Sequence, residues 1–74
     1  MKTTNYLYEV RVYQEGCNVE MMFWGFKNLA QAKQKAEEVC KDYFRTEILE
    51  ESFTEDEEGN EVWGEVKVIE SYNA

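Results

Sequence analysis

The chain has 74 residues and no proline or histidine; 43% of its residues are hydrophobic and eleven are aromatic, which excludes a disordered chain and fits one small domain over residues 1–74. Its 16 acidic and 8 basic residues give a formal net charge of -8, which disfavours direct binding to nucleic acid. No apolar run approaches the roughly 20 residues of a membrane span, and the two isolated thiols, Cys17 and Cys40, are typical of a reduced, cytoplasmic protein.

The first part of the chain has the pattern of a β-hairpin. Residues 6–13 alternate so that four apolar side chains share one face of a strand: Tyr6, Tyr8, Val10 and Val12. Residues 14–16 form a turn sequence that ends in glycine, which tolerates positive φ. Residues 17–26 then predict a second strand whose apolar face carries Cys17, Val19, Met21 and Phe23.

A helix is predicted next, over residues 29–43. Asn28 is a good N-cap residue, because its side chain can accept hydrogen bonds from the free amides of the first turn. After it, apolar residues recur at helical spacing and form one stripe: Leu29, Ala32, Ala36, Val39, Cys40 and Tyr43.

Residues 46–54 and 61–70 predict a second hairpin, joined by an acidic loop that ends in the turn residues Gly59 and Asn60. In the third strand, alternation puts one set of side chains on a common face: Glu47, Leu49, Glu51 and Phe53. In the fourth strand, it separates Val62, Val66 and Val68 from Trp63, Glu65, Lys67 and Ile69.

The element order ββαββ predicts an α+β fold: a four-stranded antiparallel sheet with one helix packed on one face. The valines, Met21, Phe23 and the helix stripe are expected to fill the covered side. Five large residues are then left on or near the open face: Tyr13, Met22, Trp24, Trp63 and Ile69. Such a cluster usually marks an interface, although sheet twist and chain ends can also bury these side chains locally.

The sequence argues against an enzyme. Without histidine, the chain lacks the commonest general base and metal ligand. Neither Ser52 nor Ser71 lies in a G-x-S-x-G motif, and the four scattered glycines form no phosphate-binding loop. We therefore expect no catalytic residue, no metal and no cofactor.

Residues 46–66 carry nine of the acidic residues and no base, while the other 53 residues carry 7 acids and 8 bases. Carboxylates two residues apart on a strand face lie about 6.6 Å apart, close to two phosphate steps of about 3.4 Å each. Glu47 and Glu51, with Glu61 and Glu65 across the hairpin, are thus predicted to form a ladder that mimics a nucleic-acid backbone. The expected partner is a protein with a basic nucleic-acid-binding groove. The predicted partner-binding residues are nine carboxylates and two aromatic anchors: Glu47, Glu50, Glu51, Glu55, Asp56, Glu57, Glu58, Glu61, Glu65, Trp63 and Phe53.

Three alternatives remain open. The acidic residues can be solvated charges that keep a β-rich protein in solution. They can bind calcium, since Gly59 and Glu65 match an EF-hand loop, although threonine takes its first position and the flanks read as strands. Finally, the chain can be a self-associating module that forms a homodimer through the open sheet face, with Trp24 and Trp63 in the interface.

A tiny, acidic, proline-free domain with the order ββαββ resembles the small phage-encoded anti-CRISPR and host-takeover proteins. The resemblance covers the layout of the whole chain: the hairpin over residues 6–26, the helix over 29–43 and the acidic hairpin over 47–70. It implies a stoichiometric, non-catalytic inhibitor in the cytoplasm of a bacterial host. Such an inhibitor blocks the nucleic-acid channel of a CRISPR effector, or the assembly of that effector.

Overall fold

The structure is a computed structural model that describes residues 4–73. It shows one helix packed on one four-stranded antiparallel sheet. The elements are β1 (Thr4–Tyr13), β2 (Met22–Phe26), α1 (Leu29–Val39), β3 (Arg45–Glu55) and β4 (Glu61–Asn73). The sheet order is β2-β1-β3-β4. The predicted α+β fold is therefore confirmed.

The core lies between α1 and the middle of the sheet. Val10, Val12 and Ile48 are fully buried there against Ala32 and Ala36 of the helix. The alanines let the helix approach the sheet closely, because they add little volume between the two layers. This packing confirms most of the predicted inward face of β1 and of the predicted helix stripe. The exceptions are Tyr6, which is 49% exposed, and Cys40, which lies outside the core cluster.

Asn28 caps the helix as predicted. Its Oδ1 accepts hydrogen bonds from the backbone N–H of Ala30 at 2.7 Å and of Gln31 at 3.3 Å. The helix is shorter than predicted: it ends at Val39, and the chain then turns back toward β3. Tyr43 still packs against the core, but it does so from beyond the helix.

The second strand differs from the prediction in length and in face. Residues 14–21 form a long connection, and β2 begins only at Met22. In its register Trp24 lies opposite Val10, so Trp24 packs on the helix side, while Phe23 and Met21 are exposed. The predictions of Met21 and Phe23 in the core and of Trp24 on the open face are wrong. The side-chain period of a strand is two residues, so a shift of one residue exchanges the faces.

The fourth strand also departs from simple alternation. Its register with β3 shifts between Ile48 and Leu49 and again between Glu51 and Phe53. Such irregularities insert extra residues and change which face the following side chains occupy. Three assignments are consequently wrong: Ile69 packs against the core, whereas Val66 and Val68, predicted for the covered side, are half-exposed on the open face. Val62 keeps its predicted face opposite Thr54, but it is also half-exposed because the core cluster does not extend to it.

The two predicted faces of β3 are confirmed by its register with β1, in which Ile48 pairs with Val10 and Leu49 pairs with Glu9. Tyr13 lies on the open face as predicted, yet it is only 5% exposed. The guanidinium of Arg45 covers its ring at 4.2 Å from the centroid, so a long charged side chain shields this part of the open face.

The sheet extends well beyond the helix. β2 pairs only with residues 8–12 of β1, whereas β3 continues along β1 as far as the pair formed by Thr54 and Thr4. Among the described residues, the core cluster and the side chains packed against it include none from residues 51–66. The described part of the molecule measures 44 × 24 × 16 Å. At one end of the sheet, three strands lie without a covering helix among residues 4–73.

Candidate protein-interaction surface

The end of the β3–β4 hairpin, residues 55–65, carries six carboxylates and no base and is called the acidic tip below. Asp56 organises its turn. The Oδ1 atom of Asp56 accepts hydrogen bonds from the backbone N–H of Glu58 at 2.9 Å and of Asn60 at 2.8 Å. Gly59 provides the positive φ, 83°, that the turn requires. Asp56 therefore has a structural role in the tip.

These hydrogen bonds also set the charge state of Asp56. The backbone N–H of Asn60 is the largest cause that lowers its pKa, and the N–H of Glu58 acts in the same direction. The turn thus holds one negative charge firmly ionised at the centre of the acidic tip.

The other five carboxylates of the tip are exposed, and within residues 4–73 their side chains make no ion pair or hydrogen bond: Glu55, Glu57, Glu58, Glu61 and Glu65. Glu55 and Glu61 are direct partners in the β3–β4 register. Like charges opposite each other destabilise a pair of strands. The tip therefore holds a concentrated negative field that no side chain of residues 4–73 neutralises by an ion pair.

Two predicted partner-binding carboxylates lie outside the tip and are bound internally. Arg45 and Lys67 flank the acidic stretch on either side, and each pairs with one glutamate. Arg45 Nε lies 3.7 Å from Glu47 Oε2, and Lys67 Nζ lies 3.5 Å from Glu50 Oε1. Because Glu47 and Glu50 belong to opposite faces of β3, they do not form one charged surface.

Glu51 belongs to a small network on the open face. Its neighbour Glu9 forms an ion pair with Arg11. Burial is the largest cause that raises the pKa of Glu51; a hydrogen bond shared with Glu9 and the charge of Glu9 raise it further. Glu51 thus faces another carboxylate of its own sheet, which disfavours its charged form.

The predicted ladder of four carboxylates is not formed. Ser71 lies opposite Glu47, and Val66 lies opposite Glu51. The register between the strands, fixed by the turn and shifted by the irregularities in β4, moves Glu61 and Glu65 away from these positions. Negative charge is concentrated at the end of the hairpin instead of being spaced along it.

Phe53 and Trp63, the predicted anchors, lie side by side at the base of the acidic tip. They are direct partners in the β3–β4 register, with ring centroids 4.8 Å apart and planes tilted by 36°. Trp63 remains 49% exposed. A large aromatic surface therefore adjoins the free carboxylates.

The exposed outer edge of β4 does not follow from the alternation of its sequence. Residues 61–68 are all exposed, including Val66 and Val68, which lie on the open face. The one signal was Gly64, since glycine inside a strand pattern often marks a bulge or a close approach of two strands. A Cβ on Gly64 would lie 2.7 Å from Ser52 Oγ, which shows such a close approach.

Among residues 4–73 no group of three or more acidic or cysteine side chains is arranged to hold a metal ion. The acidic loop is flanked by β3 and β4, whereas an EF-hand loop is flanked by helices. No helix within the described range has the length and apolar character needed to cross a membrane.

Comparison with known protein families, curated proteins and solved structures finds no significant match to this chain. Function is therefore inferred from the acidic tip and the aromatic pair beside it.

Proposed function

We propose that this protein is a non-catalytic inhibitor whose acidic tip binds the basic nucleic-acid-binding groove of another protein. The supporting observation is the tip itself: six carboxylates and no base in eleven residues, five of them exposed and without a partner in the described chain. Mutual repulsion at this density opposes formation of the hairpin, and a binding role accounts for its presence.

A basic groove supplies the positive charges that the tip lacks. Long-range attraction accelerates the encounter, and the bound tip occupies the space that nucleic acid would take. Trp63 and Phe53, directly behind the carboxylates, can contact the wall of the groove, where aromatic residues often dominate the binding energy. Because exposed charges drive this encounter, salt should weaken it.

A CRISPR effector is the partner proposed for the first test. Such effectors hold their guide–target duplex in a positively charged channel of the kind that the tip would enter. The proposed site of the encounter is the bacterial cytoplasm, where a phage-encoded inhibitor of such an effector would act.

The experiment compares two triple variants that each remove three negative charges. The tip variant carries Glu55→Gln, Glu57→Gln and Glu58→Gln; the control carries Glu15→Gln, Glu37→Gln and Asp42→Asn, all exposed positions away from the tip. Displacement of labelled nucleic acid from purified CRISPR effector complexes is measured at low and at high salt.

We expect the tip variant to bind at least ~tenfold more weakly than wild type, which corresponds to about 1.4 kcal/mol, and the control to bind nearly as wild type does. Wild-type binding should also weaken as salt is raised. Equal losses in both variants would mean that net charge, and not the tip, drives binding. If no tested effector binds, the proposal of this partner class fails.

The alternative, a self-associating module, has its own supporting observation. Trp63, Val66 and Val68 are half-exposed on the open face or beside it. Trp24, also predicted for that interface, packs under the helix and is no longer a candidate. Sedimentation of wild type and of Trp63→Glu separates the alternatives, because a strict monomer in both cases excludes a dimer through this face.

A further inference from the structure

β4 is an exposed edge of the sheet. It is 13 residues long, and among residues 4–73 it pairs with β3 alone, so its other side presents backbone N–H and C=O groups that have no strand partner there. The opposite edge, β2, has only five residues. Long exposed edges are templates for the addition of another strand, and β4 is the longer template here.

The composition of β4 favours the addition of another strand along the middle of β4. The strand has no proline, and its exposed apolar residues lie on both sides of one short charged segment, Glu65–Val66–Lys67. The register irregularities fall near residue 64 and at residue 69, which leaves the residues between them as regular strand. The side chain of Lys67 is 62% exposed despite its ion pair with Glu50.

We propose that a second copy of this chain adds to that edge, with the two β4 strands antiparallel and Val66 opposite Val66. A symmetric antiparallel pair must place some residue opposite itself, because facing side chains must lie on the same side of the sheet. Centring on Val66 puts Glu65 of each copy opposite Lys67 of the other, which forms two attractive pairs.

Three of the neighbouring registers lack this complementarity. Centring on Glu65 places two carboxylates opposite each other, and centring on Lys67 places two ammonium groups together; both arrangements are repulsive. Centring on Val68 pairs Lys67 with Ile69 and leaves Glu65 opposite Ser71. Centring on Gly64 would place Lys67 opposite Glu61, but it puts the symmetry axis on the register irregularity near residue 64. Charge complementarity and regular strand geometry together therefore select the Val66 register.

The acidic tips do not oppose this dimer. Glu61 lies five residues from the symmetry axis, so the two copies of this residue are about 33 Å apart at about 3.3 Å per residue. That separation exceeds the Debye length of about 8 Å at physiological ionic strength. Two chains each carrying a net charge of -8 can therefore pair at the edge while their tips remain apart.

The first test exchanges the charges. Sedimentation velocity over a wide concentration range is measured for wild type, for Glu65→Lys, for Lys67→Glu and for the double variant that carries both changes. Each single change should weaken the dimer about tenfold or more, and the double variant should restore it, because each pair is again attractive. A wild type that stays monomeric, or a double variant no better than Lys67→Glu, overturns the proposal.

The second test reports the register. In a background that carries Cys17→Ser and Cys40→Ala, Val66→Cys is compared with Val68→Cys under oxidised glutathione. Residues directly opposite in a ladder have Cβ atoms about 4.5–5.5 Å apart, close to disulfide reach, so Val66→Cys should cross-link two chains. Val68→Cys, which faces Gly64 in this register, should not. Equal cross-linking at both positions, or preference for position 68, excludes the Val66 register.

Discussion

Glu55 and Glu61 lie directly opposite each other in the last pair of the β3–β4 ladder, and no base occurs anywhere in the tip that they begin. Glu61→Lys converts a repulsive cross-strand pair into an attractive one. We expect it to raise the free energy of unfolding by roughly 0.2–1 kcal/mol and at the same time to weaken binding to a basic partner. Chemical denaturation and a nucleic-acid displacement assay measure the two effects.

Glu57→Lys is the matched control, since Glu57 lies in the turn and has no residue opposite it in the ladder. It should weaken binding by a similar factor but leave the free energy of unfolding nearly unchanged. A loss of stability in Glu61→Lys would show that Glu55 and Glu61 do not repel each other in the folded protein.

A second prediction concerns pH and Glu51. The pKa of Glu51 is raised in the folded state, chiefly by burial. Between the unfolded and folded pKa values the folded chain binds more protons, so stability falls as pH rises through that interval. Glu51→Gln removes this penalty. It should raise the midpoint of thermal unfolding at neutral pH and give a smaller gain near pH 4, where the carboxyl of the wild type is largely protonated.

The control for this prediction is Glu58→Gln, at an exposed turn position. Its midpoint of thermal unfolding should show no pH-dependent gain of the kind expected for Glu51→Gln. If Glu51→Gln destabilises the protein at neutral pH, then the network with Glu9 and Arg11 is stabilising and the expected sign is wrong.

Thr46 gives a third prediction. It is fully buried, and its hydroxyl has no hydrogen-bond partner among the described residues. Thr46→Val keeps the shape and removes the unpaired hydroxyl, so it should stabilise the protein by about 1 kcal/mol. Thr46→Ser keeps the hydroxyl and removes the methyl group, so it should destabilise the protein by about 1 kcal/mol. Denaturant melts of both variants make the comparison.

Gly64 and Ser52 give a fourth prediction. A methyl group on Gly64 would lie 2.7 Å from Ser52 Oγ, whereas Ser52 Cβ is 3.9 Å away. Gly64→Ala should therefore destabilise wild type but be tolerated when Ser52→Ala is present. The double-mutant cycle should give a coupling free energy of about 1 kcal/mol. Additive effects of the two changes would show that this close approach does not matter for stability.

Much of the fold could be predicted because local signals and tertiary packing agree in β1, β3 and α1. Asn28 is a capping residue and does cap the helix, and Val10 alternates with polar residues and is buried. In β2 the local signal misleads. The glycine at position 16 suggests a tight hairpin, but the connection runs to residue 21, and a pattern counted from Cys17 then assigns Trp24 to the wrong face.

The site could be predicted only in part, for a related reason. The location of the negative charge follows from the sequence, since the carboxylates are consecutive or nearly so. Whether these carboxylates are free of ion pairs does not follow from the sequence, because it depends on which basic side chains the sheet places beside them. Arg45 reaches Glu47 along its own strand, but Lys67 reaches Glu50 only through the β3–β4 register, which the bulges in β4 determine.

The helix packs on one end of the sheet, and in the described part of the chain the other end has no second layer. Folding is therefore decided largely by residues such as Val10 and Ile48, while the exposed end contributes little buried surface. Sequence drift at that end carries a small risk of losing the native state. Substitutions in the acidic tip can therefore change its charge and shape while the residues packed around the helix stay the same.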